Sequence, residues 1–347
     1  MSHNQLQTSI PSSRPSWFAL FKEHVYLSRF AFTVFVPLMA AATVTPHKLP
    51  NMFTILVIIA VAWGFHMTFY GFNDVTDYHL DRLLGRKDDH PLVRGDMTRR
   101  TALIIAISHT AGAFIIEALS GTTLTLMLLL VVACGGVIIY DVFSKRNSFP
   151  PLTDAIESIG FIALALYGAA KIGMPGPLSY TLAITYGIFM SFITGSFLGI
   201  VDVEGDLKGK ALTTPIWFGT RPIQGSSLPY IPPALSVFGL SQIAALIIIN
   251  FLPLLRNDFG YPFTLRLILM GILSLVSVAV CVHTTRFIIS GPKWQRMPQD
   301  SDLDLLAVYS VLILGVSYVP YLATSWLVLL AICVIAPLAA GKILTRL

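Results

Sequence analysis

Charged side chains are scarce in this sequence. Of its 347 residues only 12% are charged, while 55% are hydrophobic. A soluble domain needs a charged surface, and this chain has too little charge to build one. Apolar stretches of about 20 residues, the length that crosses a hydrocarbon core of roughly 30 Å, recur along the chain. The composition therefore indicates a membrane protein, in which a net charge of +5 does not point to nucleic acid.

Cysteine is also rare. Cys134, Cys281 and Cys333 each lie in an apolar run, and their spacings match no metal motif. We interpret them as small buried hydrophobic residues, with no disulfide framework. Residues 1–16 lack the apolar core of a signal peptide and are rich in Ser and Pro, so we expect no cleaved leader and no order there.

The apolar runs predict an all-α fold, a multi-pass transmembrane bundle of nine or ten spans around a central apolar cavity. The first eight spans are expected near Tyr26–Val44, Met52–Phe72, Thr101–Leu119, Thr122–Ile139, Leu152–Ala170, Tyr180–Ile200, Ala234–Leu255 and Phe263–Ile289. From Leu303 to Thr345 the number is open, because Pro320 either kinks one long helix or separates two. Residues 1–23 are then a disordered cytosolic tail, and residues 24–347 form a single transmembrane domain.

Basic residues are distributed unevenly between the two sides. The tail and the loops after the even-numbered spans hold fifteen Lys and Arg residues, whereas the loops after the odd-numbered spans hold three. Lys and Arg mark cytoplasmic loops. We therefore expect the N-terminus and every long loop to face the cytosol, in the endoplasmic reticulum or a similar endomembrane of a eukaryote or in a bacterial inner membrane.

The loop after span two carries the first acidic motif. Residues 73–81 read NDVTDYHLD, which places Asp74, Asp77 and Asp81 on one helical face, with Asn73 one turn before Asp77. Several carboxylates at a membrane-embedded helix end are costly unless a cation binds them. Hard oxygen ligands favour Mg²⁺, which commonly bridges to substrate phosphates.

The loop after span six carries the second motif. Residues 202–206 read DVEGD, so Asp202 and Asp206 lie one turn apart, and Lys208 and Lys210 follow. The two motifs are four spans apart, and parity alone puts them on the same side. Carboxylates and lysines beside an apolar bundle suit a metal–diphosphate group whose tail lies among the helices.

At this point a family resemblance is evident. NDVTDYHLD resembles the NDxxDxxxD motif of the UbiA-type membrane prenyltransferases, and DVEGD resembles their second motif, DxxxD. The segment HPLVRG at residues 90–95 is similar to the turn that leads into span three in that family. The segment at residues 213–215, TTP, is similar to a Thr-Leu-Pro segment of the family.

The resemblance implies a set of site residues and a cofactor. Two Mg²⁺ ions and a prenyl diphosphate would be held by the motif residues, with Asp77 and Asp206 as catalytic carboxylates. The metal ligands would be Asn73, Asp74, Asp77, Asp81, Asp202 and Asp206. The residues expected to contact the diphosphate are Arg29, Arg94, Lys145, Lys208 and Lys210. The expected partners are the prenyl diphosphate and the lipid bilayer, with no nucleic acid and no obligate protein partner.

Several positions keep two interpretations. Lys145 and Arg146 are either diphosphate ligands or positive anchors at the membrane surface. Arg29 lies inside span one, and a charge there is a functional candidate. Other polar residues in or beside spans are either cavity-facing groups or partners in hydrogen bonds between helices. These are His66, His109, Glu117, Asp154 and Glu157.

The expected function is a Mg²⁺-dependent transfer of a prenyl group from its diphosphate to a hydrophobic acceptor, with release of pyrophosphate. Family members with phenolic acceptors often carry Tyr-Pro-x-x-Lys-Arg after span four, whereas residues 140–146 read YDVFSKR. The alternative is therefore a membrane terpene cyclase, which forms a cyclic terpene from a substrate such as farnesyl diphosphate without an acceptor. A transporter fits less well, because transporters bury charge near the bilayer midplane.

Overall fold

The protein is almost entirely helical. The computed structural model describes residues 17–84, 90–224, 229–290 and 315–344. The helices are α1 (Trp17–His24), α2 (Leu27–Val44), α3 (Met52–Leu84), α4 (Pro91–Arg94), α5 (Arg99–Leu119), α6 (Leu124–Phe143), α7 (Pro150–Ile172), α8 (Pro177–Ser191), α9 (Gly199–Lys208), α10 (Thr214–Trp217), α11 (Pro233–Arg256), α12 (Phe263–Ser290) and α13 (Thr324–Leu344). Two short antiparallel strands, β1 (Arg221–Pro222) and β2 (Pro229–Tyr230), pair between α10 and α11.

Most of these helices are long and apolar enough to cross a membrane. Within the described residues eight reach that length, and the apolar part of α2, Arg29–Val44, is a shorter ninth candidate. The prediction of an all-α, multi-pass bundle is confirmed. The first eight predicted spans each correspond to one of these helices, with α9 continuing from the α8 span.

The chain leaves the helical conformation near Pro320. Residues 315–318 are helical, Val319–Tyr321 form a 3₁₀ turn, and α13 begins at Thr324. Pro320 therefore separates two helical segments instead of kinking one. The earlier part of the ambiguous stretch, residues 303–314, lies outside the described residues.

The predicted disordered tail is wrong for residues 17–23. They belong to α1, because Leu20 is buried in a small apolar cluster with Leu92, Met97 and Val75 of α3. That contact joins positions more than fifty residues apart, so the local composition gives no sign of it. Residues 1–16 lie outside the described part of the chain.

Helix α7 is the centre of the bundle and contacts α2, α6 and α8. Small residues allow this close packing, as is usual between membrane helices. A Cβ atom at Gly168 would collide with the backbone of Pro37 in α2. A Cβ atom at Gly136 of α6 would lie 2.8 Å from the carbonyl oxygen of Ile156 in α7.

The last described helix packs against the first span. Helix α13 contacts α2. The indole Nε1 of Trp326 donates to the carbonyl oxygens of Thr45 at 2.7 Å and Lys48 at 3.1 Å. The Ala323 amide donates to the Pro46 carbonyl at 2.8 Å. These contacts lie at the end of α2 that adjoins the start of α3.

Candidate active site

The first acidic motif lies on a helix and not in a loop. Helix α3 continues to Leu84, because residues 73–84 contain neither Gly nor Pro to end it. Along this extension Asn73, Asp77 and Asp81 follow one another at four-residue intervals and share one face. Asp74 is rotated about 100° from Asn73, since a helix has roughly 3.6 residues per turn.

Asp77 is held by a basic and an amide side chain. Lys145 Nζ, from the connection between α6 and α7, lies 2.6 Å from Asp77 Oδ2. Asn73 Nδ2 donates to the same oxygen at 3.3 Å and lies 3.5 Å from Oδ1 of Asp141 on α6. The Asp77 carboxylate is thus held by one side chain from α3 itself and one from the connection between α6 and α7.

The second acidic motif is also helical, on α9, which continues from α8 through a π-helical segment at Phe192–Leu198. Asp206 is buried and Asp202 is half-buried. Lys145 also contacts the segment that follows the second motif. Its backbone carbonyl accepts from the Leu212 amide at 3.2 Å, just beyond α9.

The electrostatics of Lys145 show the same convergence. Burial lowers the pKa of Lys145, whereas the carboxylates of Asp77, Asp206 and Asp202 raise it. Their combined effect is larger than that of burial, so the pKa lies above its ordinary value. Carboxylates from both motifs therefore act on one ammonium group. The expectation from span parity, that the motifs lie on the same side, agrees with this arrangement.

The other basic candidates have different partners from Lys145. Among the described residues, Arg94 forms ion pairs with Glu23 at 2.6 Å and Asp96 at 2.7 Å. Lys208 pairs with Glu204 one turn before it and is exposed. The two remaining candidates, Arg29 and Lys210, have surroundings of another kind. The guanidinium of Arg29 lies over the rings of Tyr26 and Tyr70, and Lys210 is exposed with a positive φ of 56°.

Lys145 and its neighbour point in different directions. Whereas Lys145 reaches Asp77, Arg146 is exposed and lines a surface groove together with Ile139, Phe143 and Ile156. Of the pair, Lys145 contacts the motif and Arg146 does not line it, and both interpretations stay predictions.

Two buried carboxylates on α7 face the helix that carries the second motif. Glu157 is fully buried, and its Oε2 accepts from Thr194 Oγ1 at 2.7 Å. Asp154 accepts from Thr214 Oγ1. Thr194 lies in the π-helical segment, and such segments are frequent at functional sites. A Cβ atom at the next residue, Gly195, would collide with the Asp154 carboxylate.

Sequence reasoning missed Asp141. It is buried on the last turns of α6, with Oδ1 near Asn73, and its Oδ2 makes no hydrogen bond within the described residues. An orphaned carboxylate oxygen beside Asn73 and Asp77 extends the set of oxygen donors. The available signal was an acidic residue at the end of an apolar span, four residues before Lys145.

Asp74 lies in a different group. Its Oδ2 is 3.2 Å from His90 Nε2 and 3.5 Å from His24 Nδ1, and its Oδ1 accepts from the Tyr26 hydroxyl at 3.1 Å. The structure does not place Asp74 with Lys145 and Asn73. Its predicted role as a ligand of the diphosphate-bound metal stays a prediction, as do the roles of the other site residues.

Comparison with known proteins identifies the family. The model of the UbiA prenyltransferase family matches residues 32–286, which is well over half of the chain. This chain belongs to the UbiA prenyltransferase family. The match spans both acidic motifs and the helices that carry them.

Curated relatives of this UbiA-family chain match over part of its length. It is 34% identical over 157 residues to digeranylgeranylglyceryl phosphate synthase of Thermococcus gammatolerans, covering 43% of this chain and 51% of that protein. It is 29% identical over 160 residues to 4-hydroxybenzoate octaprenyltransferase of Nitrosomonas eutropha, covering 46% and 54%. The chain thus spans about half the length of these relatives.

Solved structures of UbiA homologues share the fold. The homologue from Archaeoglobus fulgidus bound to GPP and Mg²⁺ superposes with a TM-score of 0.61 at 16% identity, covering 86% of this chain and 97% of that one. The homologue from Aeropyrum pernix K1 also gives 0.61 at 16%, covering 85% and 99%. At this level of identity the likeness establishes the fold alone.

Proposed function

We propose that this protein is a Mg²⁺-dependent membrane prenyltransferase that ionises a prenyl diphosphate and transfers the prenyl group to a hydrophobic acceptor, releasing pyrophosphate. The observation that carries the proposal is the convergence of carboxylates from α3 and α9 on Lys145, at one end of an apolar helical bundle. Family membership supports it, as do relatives named as prenyltransferases.

The donor set fits Mg²⁺. Asp77, Asp202, Asp206 and the Asn73 amide all offer oxygen ligands, and Asp141, whose Oδ2 makes no hydrogen bond within the described residues, lies beside Asn73. Magnesium prefers oxygen donors and keeps positions for water and phosphate, so the carboxylates need not enclose it. When bound, it would neutralise the charge that develops on the departing diphosphate.

The protein's own residues then have distinct tasks. Lys145 is placed to pair with diphosphate charge in addition to Asp77, and Asn73 fixes the orientation of the Asp77 carboxylate. One helical turn before Asn73 stands Phe69, whose ring contacts Tyr70 and Phe161 with centroids 4.9 Å and 5.5 Å away. Aromatic faces stabilise a nearby cation, and this apolar surround excludes water from it.

The orientation in the membrane follows from the basic residues. We propose that the motif-bearing ends of α3 and α9 face the cytosol, since the Lys and Arg excess lies on that side. A cysteine introduced at Gly121, between α5 and α6, should react only with reagents from the opposite side. One introduced at Ser148 should react from the cytosol.

The decisive experiment supplies purified protein with farnesyl or geranylgeranyl diphosphate, with and without Mg²⁺ and a set of hydrophobic acceptors. We expect pyrophosphate and a prenylated acceptor with Mg²⁺, no turnover in EDTA, and recovery when Mg²⁺ is restored. Formation of a cyclic terpene without an acceptor would show that the protein is a terpene cyclase and not a prenyltransferase. Full turnover in EDTA, or no pyrophosphate release under any condition, would refute the proposal.

A further inference from the structure

Three buried side chains meet at Asp74, which lies about 60° around α3 from Asp77. His24 ends α1, Asp74 lies on α3, and His90 immediately precedes α4; they are 1%, 3% and 7% exposed. One donor atom from each lies within 4.8 Å of the other two. Among the described residues this is the one group of three His, Cys, Asp or Glu side chains whose donor atoms come so close together.

Two of the three donor-atom separations, those to Asp74, are close to the separations in a metal coordination sphere. Ligand atoms about 2.0–2.2 Å from a tetrahedral zinc ion lie about 3.3–3.6 Å from each other. The two distances to Asp74 Oδ2 are 3.2 Å from His90 Nε2 and 3.5 Å from His24 Nδ1. His90 Nε2 is buried and makes no hydrogen bond within the described residues, despite its short distance to that oxygen.

Surrounding residues hold these side chains in place. Tyr26 donates to the other oxygen of Asp74 and stacks on the His90 ring, with centroids 5.4 Å apart and planes 7° from parallel. Groups that hydrogen-bond and pack against ligands orient them in this way at metal sites. Tyr26 itself has a positive φ of 46°, an uncommon backbone conformation for a residue with a side chain. This turn between α1 and α2 keeps His24 near Asp74.

We propose that His24, Asp74 and His90 bind a divalent transition-metal ion of the zinc type, separate from the magnesium ions of the proposed function. Two imidazoles and one carboxylate favour zinc over magnesium, which prefers oxygen alone. The ion would tie the end of α1 and the N-cap of α4 to the motif-bearing end of α3. Water or another small ligand would complete the tetrahedron.

The test measures bound metal and not activity. The full chain, purified in detergent and stripped with a chelator, is dialysed against Zn²⁺ in the presence of excess Mg²⁺, and its metal content is determined. We expect one zinc per chain in the wild type and less than a tenth of that in His24→Ala and His90→Ala. His79→Ala, an exposed histidine on the same helix as Asp74, should keep one zinc. Asp77→Ala should also keep it, although the proposed function predicts that this variant is inactive.

A spectroscopic measurement on the wild type avoids any dependence on how the variants fold. Co²⁺ in place of Zn²⁺ should give the intense visible absorption of a tetrahedral site, and Zn²⁺ should displace it. No zinc and no cobalt band in the wild type would overturn the proposal and leave a hydrogen-bonded cluster only. Zinc retained by both histidine variants would overturn it too. Neither result bears on the magnesium-dependent activity, so the zinc site and the proposed function can be refuted independently.

Discussion

Asp74 and Asp77 stand three residues apart on α3, and their surroundings have little in common. Asp77 faces Lys145 and Asn73, together with the carboxylates of the second motif. Asp74 faces two histidines and a tyrosine hydroxyl. The Asp77 face gathers one positive group among several oxygen donors, whereas the Asp74 face offers nitrogen donors. A single acidic motif thus supplies two chemically different environments, because different parts of the chain pack beside these two positions, which are about 60° apart around α3.

The largest effect is expected at the Asp77 face. Asp77→Ala should lower turnover by at least about 10²–10³-fold, the usual cost of removing a group that stabilises developing negative charge. Expression and membrane insertion should be unchanged. Pyrophosphate release by the purified protein measures the effect.

The matched control for this variant is Asp96→Ala. Asp96 is exposed and pairs with Arg94, and the N-cap of α5 is Thr98. Activity should therefore be retained. Equal losses in Asp77→Ala and Asp96→Ala would mean that this region is fragile in general, and the distinction between motif and surface would lose its support.

Lys145→Ala should have the next largest effect. A hydrogen bond to a charged group contributes about 1.5–3 kcal/mol, which corresponds to roughly a 10- to 150-fold loss in rate. Arg146→Ala removes the same charge one residue later. Arg146 lines the surface groove and not the motif, so this variant should retain activity. Steady-state rates for both variants decide the matter: similar rates would show that only the net positive charge of this connection counts.

Asp74 and Asp77 keep their partners only if α3 keeps its orientation relative to α5, against which it packs closely. A Cβ atom at Gly64 would lie 2.8 Å from the His109 carbonyl oxygen and closer still to the Ala113 side chain. Overpacking of this kind costs about 1–3 kcal/mol. Gly64→Ala should therefore lower the thermal midpoint in detergent. Gly112→Ala, with no atom within 4 Å of its Cβ position, should not lower it.

The smallest effect is expected at the Asp74 face. Tyr26→Phe removes the hydroxyl that donates to Asp74 and keeps the ring, so it should cost about 1 kcal/mol of stability. Tyr180→Phe, an exposed position, serves as the control. Thermal unfolding followed by tryptophan fluorescence compares them. A loss of catalysis as large as that of Asp77→Ala would show that the two faces act as one site.

The sequence predicted the helices well because the bilayer imposes their length. Runs of about 20 apolar residues are typical of membrane spans and of little else, and the acidic motifs were placed on one side by counting spans. The division between Asp74 and Asp77 was not predicted. Their spacing is compatible with one shared face, and only the packing of α1 and α6 against α3 shows which neighbour each carboxylate meets.

Long-range contacts account for the remaining differences. Leu20 makes α1 part of the folded structure through partners far along the chain, and Asp141 joins the candidate site through Asn73, 68 positions away. Because both contacts join distant positions, the sequence around each residue does not identify its partner. The different contacts of Lys145 and Arg146 likewise depend on the path of the connection between α6 and α7.

The hydrogen bonds of Trp326 bear on the order in which the protein is made. The indole binds the carbonyl of Thr45, which is 281 residues earlier in the chain. At about 5–20 residues per second, ribosomes need roughly 14–56 s to cover that separation. During this interval the first span has entered the bilayer while its final neighbour has not been synthesised. The flank of α2 that α13 later covers must be occupied by lipid or by the insertion machinery until translation reaches α13.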